Sequence, residues 1–146
     1  MEFDTRVRLA IYSHIARTTK APAPADVATV VGATEPDVSA AYQRLYGMRV
    51  LVLQDDGVSI RMAPPFSGIP TQHRVRVAGQ EYFANCAWDA LGVIAALRQP
   101  GEVFSRCEQS LDPLYLRVLD SGPEPERCVI HFAVPAALWW KDIVFT

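Results

Sequence analysis

The chain has 146 residues, of which 50% are hydrophobic and 21% are charged, with a formal net charge of −2. This length can bury a core as one domain or as two small lobes that share one. The near-neutral charge excludes a strongly basic field that would attract nucleic acid or anionic membranes. No apolar run reaches the roughly 18 residues of a membrane-spanning helix, and the charged first residues lack a signal-peptide core. We therefore expect a soluble, cytoplasmic protein.

Two helices are predicted at the start of the chain. Helical spacing of Val7, Ile11 and Ile15 predicts a first helix over residues 5–18. The prolines of the next segment, KAPAPAD, end this helix because proline cannot continue it. A second helix is predicted in ADVATVVG, which ends at Gly32.

A third helix and a hairpin follow. Thr34 is a suitable N-cap, and a proline in the first turn supports a helix start there. The apolar side of this helix is formed by Val38, Ala41, Tyr42 and Leu45. Two β-rich runs flank Asp56 and Gly57, a dipeptide typical of a hairpin turn. Three short helices and a hairpin predict a lobe of the winged helix-turn-helix type over residues 1–63.

The charges of this N-terminal lobe argue against DNA binding, although the predicted fold would suggest it. Residues 1–66 hold seven Lys or Arg and seven Asp or Glu. The predicted recognition helix opens with Glu35 and Asp37 and offers only Arg44 and Arg49. Acidic groups are unfavourable where phosphates and base edges must be met. We therefore expect a packing or dimerisation module, with DNA binding as the alternative.

Residues 64–146 are predicted to form a mixed lobe in which antiparallel strands surround one helix, so the fold class is α+β. Proline and glycine in residues 63–71 predict a loop or linker. The alternating HRVRVAG predicts a strand with a turn at Gly79, and a helix is predicted from near Asn85 to before Pro100. The later segments predict a loop in DSGPEPE and strands in VFSRCEQS, LYLRVLD and CVIHFAVP.

Two reactive side chains fall in the first turn of the helix predicted from Asn85. Free backbone N–H groups and the helix dipole at Cys86 favour a thiolate. Asp89 lies three residues later and therefore on the same face, and its apolar neighbours should raise its pKa. A thiolate beside a protonated carboxyl suits general acid chemistry, and sulfur binds soft metals. A purely structural pair, with Asp89 as a dipole partner, is the alternative.

Three cysteines are present, at positions 86, 107 and 128. Their spacing fits neither a disulfide framework nor a paired C-x-x-C metal site. In the cytoplasm they should be reduced thiols. We expect Cys107 and Cys128 to be small, buried, apolar residues.

The remaining candidates have simpler interpretations. We expect His131 to be a core or surface residue, His14 to be exposed and His73 to lie in a loop before a strand. The tryptophans are expected in the core. Phe66 either roofs the Cys86 site or packs in the core.

The segment YFANCAWDALGVIAAL resembles the active-site helix of the organomercurial (alkylmercury) lyase family. The helical N-terminal lobe, the connection RMAPPFSGIPT, the cysteine segment SRCEQS and the run WWKDIVFT resemble further parts of that family. The resemblance covers most of the chain, and its specific part is Cys86–Leu97. It implies a two-lobed α+β fold, a carbon–mercury lyase activity and no organic cofactor.

Family roles follow residue by residue. The resemblance implies that Cys86 captures the mercury of R–Hg⁺ and that Asp89 delivers a proton to the departing carbon, so both contact mercury as substrate or product. The products are R–H and Hg²⁺, and external low-molecular-weight thiols then remove the metal. Cys107 matches a structural cysteine of the family. The second catalytic cysteine of the family falls directly after IVFT, where this sequence stops, and Cys128 does not match it.

The sequence is therefore consistent with three functions. The first is an organomercurial lyase-like protein that cleaves, or only binds, R–Hg⁺. The second is a non-catalytic relative that binds metals through thiols or resembles a transcription regulator. The third is a structural module without chemistry. Because the sequence ends on an apolar run, we expect the natural chain to continue beyond Thr146.

Overall fold

The structure, a computed structural model, describes residues 2–144 and has an α+β architecture. The α-helices are α1 (Phe3–Thr18), α2 (Pro24–Val31), α3 (Glu35–Gly47) and α4 (Ala87–Leu97). The first strands are β1 (Val52–Leu53), β2 (Ile60–Ala63) and β3 (Phe66–Ser67). The others are β4 (Arg74–Val77), β5 (Gln80–Phe83), β6 (Gly101–Arg106), β7 (Pro113–Leu119) and β8 (Gly122–Glu124). A 3₁₀ helix spans Ala136–Lys141.

The first three helices form as the periodicity predicts. The residues predicted for the inner side of α1 are all buried, and so are those of α3. Thr34 caps α3, because its Oγ1 accepts a hydrogen bond from the backbone N–H of Asp37 at 3.3 Å. A local signal therefore places this helix correctly.

The predicted hairpin around Asp56 and Gly57 joins β1 to β2 in a small antiparallel sheet of order β1-β2-β3. The prediction of a loop over residues 63–71 is wrong in part, because β3 lies within this range. Pro64 and Pro65 form the turn of a second hairpin, in which Ala63 pairs with Phe66. The prolines mark only this turn, and the residues after it pair with β2.

The larger sheet is antiparallel throughout, with the order β5-β4-β6-β7-β8. Its inner face buries Val75, Val77 and Val103 against α4. Gly101 lies close to this helix, since an added Cβ would be 3.1 Å from Ile94 Cγ1. Helix α4 follows β5 directly, so its start lies at the end of the sheet where Phe83 pairs with Arg74.

Three predictions for this lobe are wrong in detail. Residues 80–83 form β5, and α4 begins at Ala87 rather than near Asn85, with Cys86 as its N-cap. The predicted loop DSGPEPE contains β8. The predicted strand CVIHFAVP is irregular, and its Val129 is 90% exposed. The place beside β7 is taken by β8 instead.

One continuous hydrophobic cluster runs through both parts of the described chain, from Val7 in α1 to Val103 in β6. The helices and the hairpin occur in the predicted order. Their interpretation as a winged helix, and the lobe boundary at residue 63, stay predictions. No helix within residues 2–144 combines the length and apolarity needed to cross a membrane.

Candidate functional site

Cys86 is the N-cap of α4 and not a member of its first turn. Its backbone is extended, and its Sγ accepts a hydrogen bond from the backbone N–H of Asp89 at 3.4 Å. The sulfur thus occupies the position that a serine or threonine oxygen takes in an ordinary cap. The two predicted site residues are therefore in direct contact, sulfur to main chain, at one helix start.

Burial has the largest effect on the ionisation of the Cys86 thiol. It raises the pKa of the thiol, and the nearby carboxyl of Asp89 acts in the same direction. Hydrogen bonds from the N–H groups of Asp89 and Trp88 lower the pKa by less. The N–H groups at the helix start therefore act on the thiol in the predicted direction, but the loss of solvent outweighs them and the net shift of the pKa is upward.

Asp89 follows the predicted direction. Burial raises the pKa of its carboxyl, and a hydrogen bond from the side chain of Asn85 partly opposes this. The apolar surroundings thus favour the protonated acid over a wider pH range than at the surface. A half-buried carboxylic acid next to a sulfur can supply a proton in a place where water is scarce.

Asn85 is the site residue that sequence reasoning missed, because it was considered only as the start of a helix. Its Nδ2 lies 2.9 Å from Asp89 Oδ2, 3.3 Å from the carbonyl oxygen of Pro65 and 3.2 Å from that of Phe66. The side-chain amide thus joins the acid to the β2–β3 turn. An amide four residues before an acid was the available signal, and it is weak.

The β2–β3 turn lies against α4 one helical turn after Asp89. A Cβ added to Gly92 would be 3.0 Å from Pro65 Cβ, so the close approach leaves little room for a side chain at this position. Tyr12 of α1 holds the same turn from the other side, donating a hydrogen bond to Pro64 O at 2.9 Å. The turn is therefore fixed between α1 and α4.

Phe66 packs in the core and does not roof the site with its ring. Its side chain is only 3% exposed, and its ring lies 6.3 Å from that of Tyr12 and 5.8 Å from that of Tyr82. Its contribution to the site is its backbone carbonyl, which accepts the bond from Asn85.

The other two cysteines differ from the expected buried residues. Cys107 is half-exposed after β6, and hydrogen bonds from the side chain and N–H of Ser110 and the N–H of Gln109 lower its pKa. Cys128 is exposed in the irregular segment after β8. Both were predicted to be buried, but neither lies in an element with an inner face at that position. All three thiols are free.

The histidines that the structure describes do not form part of a metal site. His73 is buried and its Nδ1 lies 2.7 Å from Ser105 Oγ, while His131 is exposed and His14 half-buried. Trp88, predicted for the core, is 54% exposed, and its ring makes an edge contact with the ring of Phe132. Within residues 2–144, no three His, Cys, Asp or Glu side chains are grouped to hold a metal ion.

The chain is similar to known proteins in its sequence profile and in its fold. The profile of the family described as "MerB: Alkylmercury lyase" matches residues 66–146, which include Cys86 and Asp89. The solved structure titled "Crystal structure of the mercury-bound form of MerB2" is similar in fold, with a TM-score of 0.64 and 22% sequence identity. The similarity covers 80% of this chain and 57% of that chain. No curated protein sequence matches.

Proposed function

Because the chain belongs to the alkylmercury lyase family, we propose that it cleaves the carbon–mercury bond of organomercury compounds, with Cys86 as the capturing sulfur and Asp89 as the acid. The observation that carries this proposal is the direct contact between the two residues, Asp89 N–H to Cys86 Sγ at 3.4 Å. It brings a soft donor and a carboxyl with a raised pKa to the same helix start.

Capture is a thiol exchange. The sulfur of Cys86 replaces a thiolate on R–Hg–SR′, forming Cys86–S–Hg–R, and the proton of the thiol leaves with the displaced R′SH. Mercury prefers thiolate over oxygen or nitrogen donors because it is soft. The N–H groups at the helix start can stabilise the negative charge that builds on the sulfur.

Cleavage is a protonolysis. The carbon–mercury bond breaks, its electron pair stays on carbon, and the proton of Asp89 joins that carbon to give R–H. The raised pKa of Asp89, caused mainly by burial, supports this role because it favours the protonated acid over a wider pH range than at the surface. Mercury remains on Cys86 sulfur, and its charge is balanced by the new Asp89 carboxylate.

Product release needs thiols from outside. Two R′SH molecules carry mercury away as Hg(SR′)₂, and their protons restore the Cys86 thiol and the Asp89 acid. No organic cofactor enters this cycle. We propose a reducing, cytoplasmic setting for it, since low-molecular-weight thiols are abundant there. Family membership does not favour a regulator-like relative, and DNA is not a proposed partner.

The test is the release of hydrocarbon. Purified protein with methylmercury or phenylmercury and excess thiol should release methane or benzene, measured in the headspace, while Cys86→Ser should release none above the thiol blank. Serine is the matched variant because its oxygen keeps a helix cap. Mercury binding without hydrocarbon from the wild-type protein would contradict cleavage and leave a binding protein.

A further inference from the structure

The orientation of the Asn85 side chain is fixed by its surroundings. All three atoms within hydrogen-bond distance of Nδ2 are oxygens, two of them backbone carbonyls that can only accept. A rotated amide would place its own oxygen against these oxygens and would lose every bond. Asn85 Oδ1 is buried and has no hydrogen-bond partner among the residues that the structure describes. The NH₂ group therefore points at Asp89 and the turn.

The carbonyls that anchor this amide belong to a fixed segment. Pro65 lies against Gly92 of α4, and the Phe66 ring is buried between two tyrosine rings. The Tyr12 hydroxyl holds the preceding carbonyl of Pro64. An amide bound to such a segment is a rigid support, and it contacts the acid through a bond of 2.9 Å.

This bond makes the two oxygens of Asp89 different. Oδ2 accepts from Asn85, so it is the oxygen that carries no proton. Oδ1 accepts no hydrogen bond from any residue in the described part of the chain. A protonated carboxyl held in this way must carry its proton on Oδ1.

We propose that Asn85 is a positioning residue, which holds Asp89 by Oδ2 and thereby presents the acid proton on Oδ1 to the carbon bound to mercury. The inference rests on the proposed lyase function and assigns to that site a residue beyond the sulfur and the acid. Asn85 touches neither carbon nor mercury and acts only through Asp89. A structural role alone, bridging α4 to the β2–β3 turn, is the competing explanation.

A positioning role and a purely structural role of Asn85 predict different results when capture and cleavage are measured independently. In a single turnover, phenylmercury is added in equal amount to proteins that also carry Cys107→Ser and Cys128→Ser, because these two thiols are free as well. Loss of the free Cys86 thiol then reports capture, and benzene reports cleavage. Asn85→Ala should lower the cleavage rate by about 10- to 100-fold, because a small misplacement of a reacting group costs this much. Capture should stay within about twofold, since Asn85 makes no bond to sulfur. Asn85→Asp, similar in shape but without a donor, should show the same split.

Gln43→Ala is the matched control. It also removes a side-chain amide that donates to a backbone carbonyl, that of Gly57, but away from the site. Cleavage by this variant should equal that of the wild type per folded molecule. If Asn85→Ala slows capture and cleavage equally, or slows neither, Asn85 is structural and the inference is overturned.

A second measurement decides the inference even if the wild-type protein releases no benzene, a result that sinks the proposed lyase function by itself. NMR coupling constants give the χ1 rotamer of Asp89 in the free protein. One rotamer in the wild type and averaged rotamers in Asn85→Ala support positioning. The same rotamer distribution in both proteins overturns it.

Discussion

The backbone N–H of Asp89 donates a hydrogen bond to the sulfur of Cys86 across 3.4 Å, and this contact also caps α4. One cysteine therefore stabilises the helix start and supplies the soft donor of the candidate site. The consequence is that its substitutions have separable effects on folding and on chemistry.

Cys86→Ser should abolish mercury capture with little loss of stability, because the serine oxygen accepts the same N–H more strongly than sulfur does. Cys86→Ala should also abolish capture, but without a cap it should be about 1 kcal/mol less stable than Cys86→Ser. Chemical denaturation of both variants checks this. A Cys86→Ala variant as stable as Cys86→Ser would contradict the capping role.

Cys107 should react faster with iodoacetamide at neutral pH than Cys86 does. Hydrogen bonds lower the pKa of the Cys107 thiol, whereas burial raises that of Cys86, and the thiolate is the reactive form. Mass spectrometry of the peptides after short labelling gives both rates in one sample. Faster labelling of Cys86 would contradict the argument that burial raises the pKa of its thiol.

The stability of the protein should depend on pH through Asp89. Its folded-state pKa is raised above the usual value of 3.8, mainly by burial, so the acid form favours the folded state. This contribution is complete below the unfolded pKa and is lost as pH rises through the folded pKa. Asp89→Asn, which is neutral at every pH, should lack this loss.

Urea unfolding of both proteins between pH 4 and pH 8, roughly the window above the unfolded value, measures the effect. The difference in unfolding free energy between variant and wild type removes the contributions of other titrating groups. One of these is His73, whose pKa is lowered by burial. A constant difference across this range would mean that the Asp89 pKa is not raised.

Gly92→Val should weaken the contact between α4 and the β2–β3 turn. Its first added carbon would already lie 3.0 Å from Pro65 Cβ, and overpacking of this kind costs about 1–3 kcal/mol. Ala95→Val, on an exposed position of the same helix, is the matched control for the β-branched side chain. Thermal unfolding should separate the two, and equal melting temperatures would contradict the close approach.

The sequence predicts those parts of this fold that depend on local signals. The apolar positions of α3 recur with the helical period, and Thr34 caps the helix through a residue three positions away. The Asp56–Gly57 turn is equally local. The contact between Cys86 and Asp89 is local too, because a helix cap meets the backbone N–H three positions later.

What the sequence could not predict depends on distant partners. Phe66 becomes a strand residue because β2 offers it an edge, and β8 rather than CVIHFAVP pairs with β7. The direction of the Cys86 pKa shift depends on how deeply the helix start is buried. Asn85 needs the carbonyls of the β2–β3 turn, about twenty residues earlier, to become part of the site.

The central claim, that Cys86 captures mercury and Asp89 protonates the carbon, is tested most directly by one experiment on Asp89→Asn. Phenylmercury is bound in equal amount to the wild-type protein and to the variant, and benzene is followed over one turnover. The account predicts that both proteins bind phenylmercury on Cys86, and that the variant releases benzene at least about 100-fold more slowly. Equal rates of benzene release from the two proteins would contradict the account.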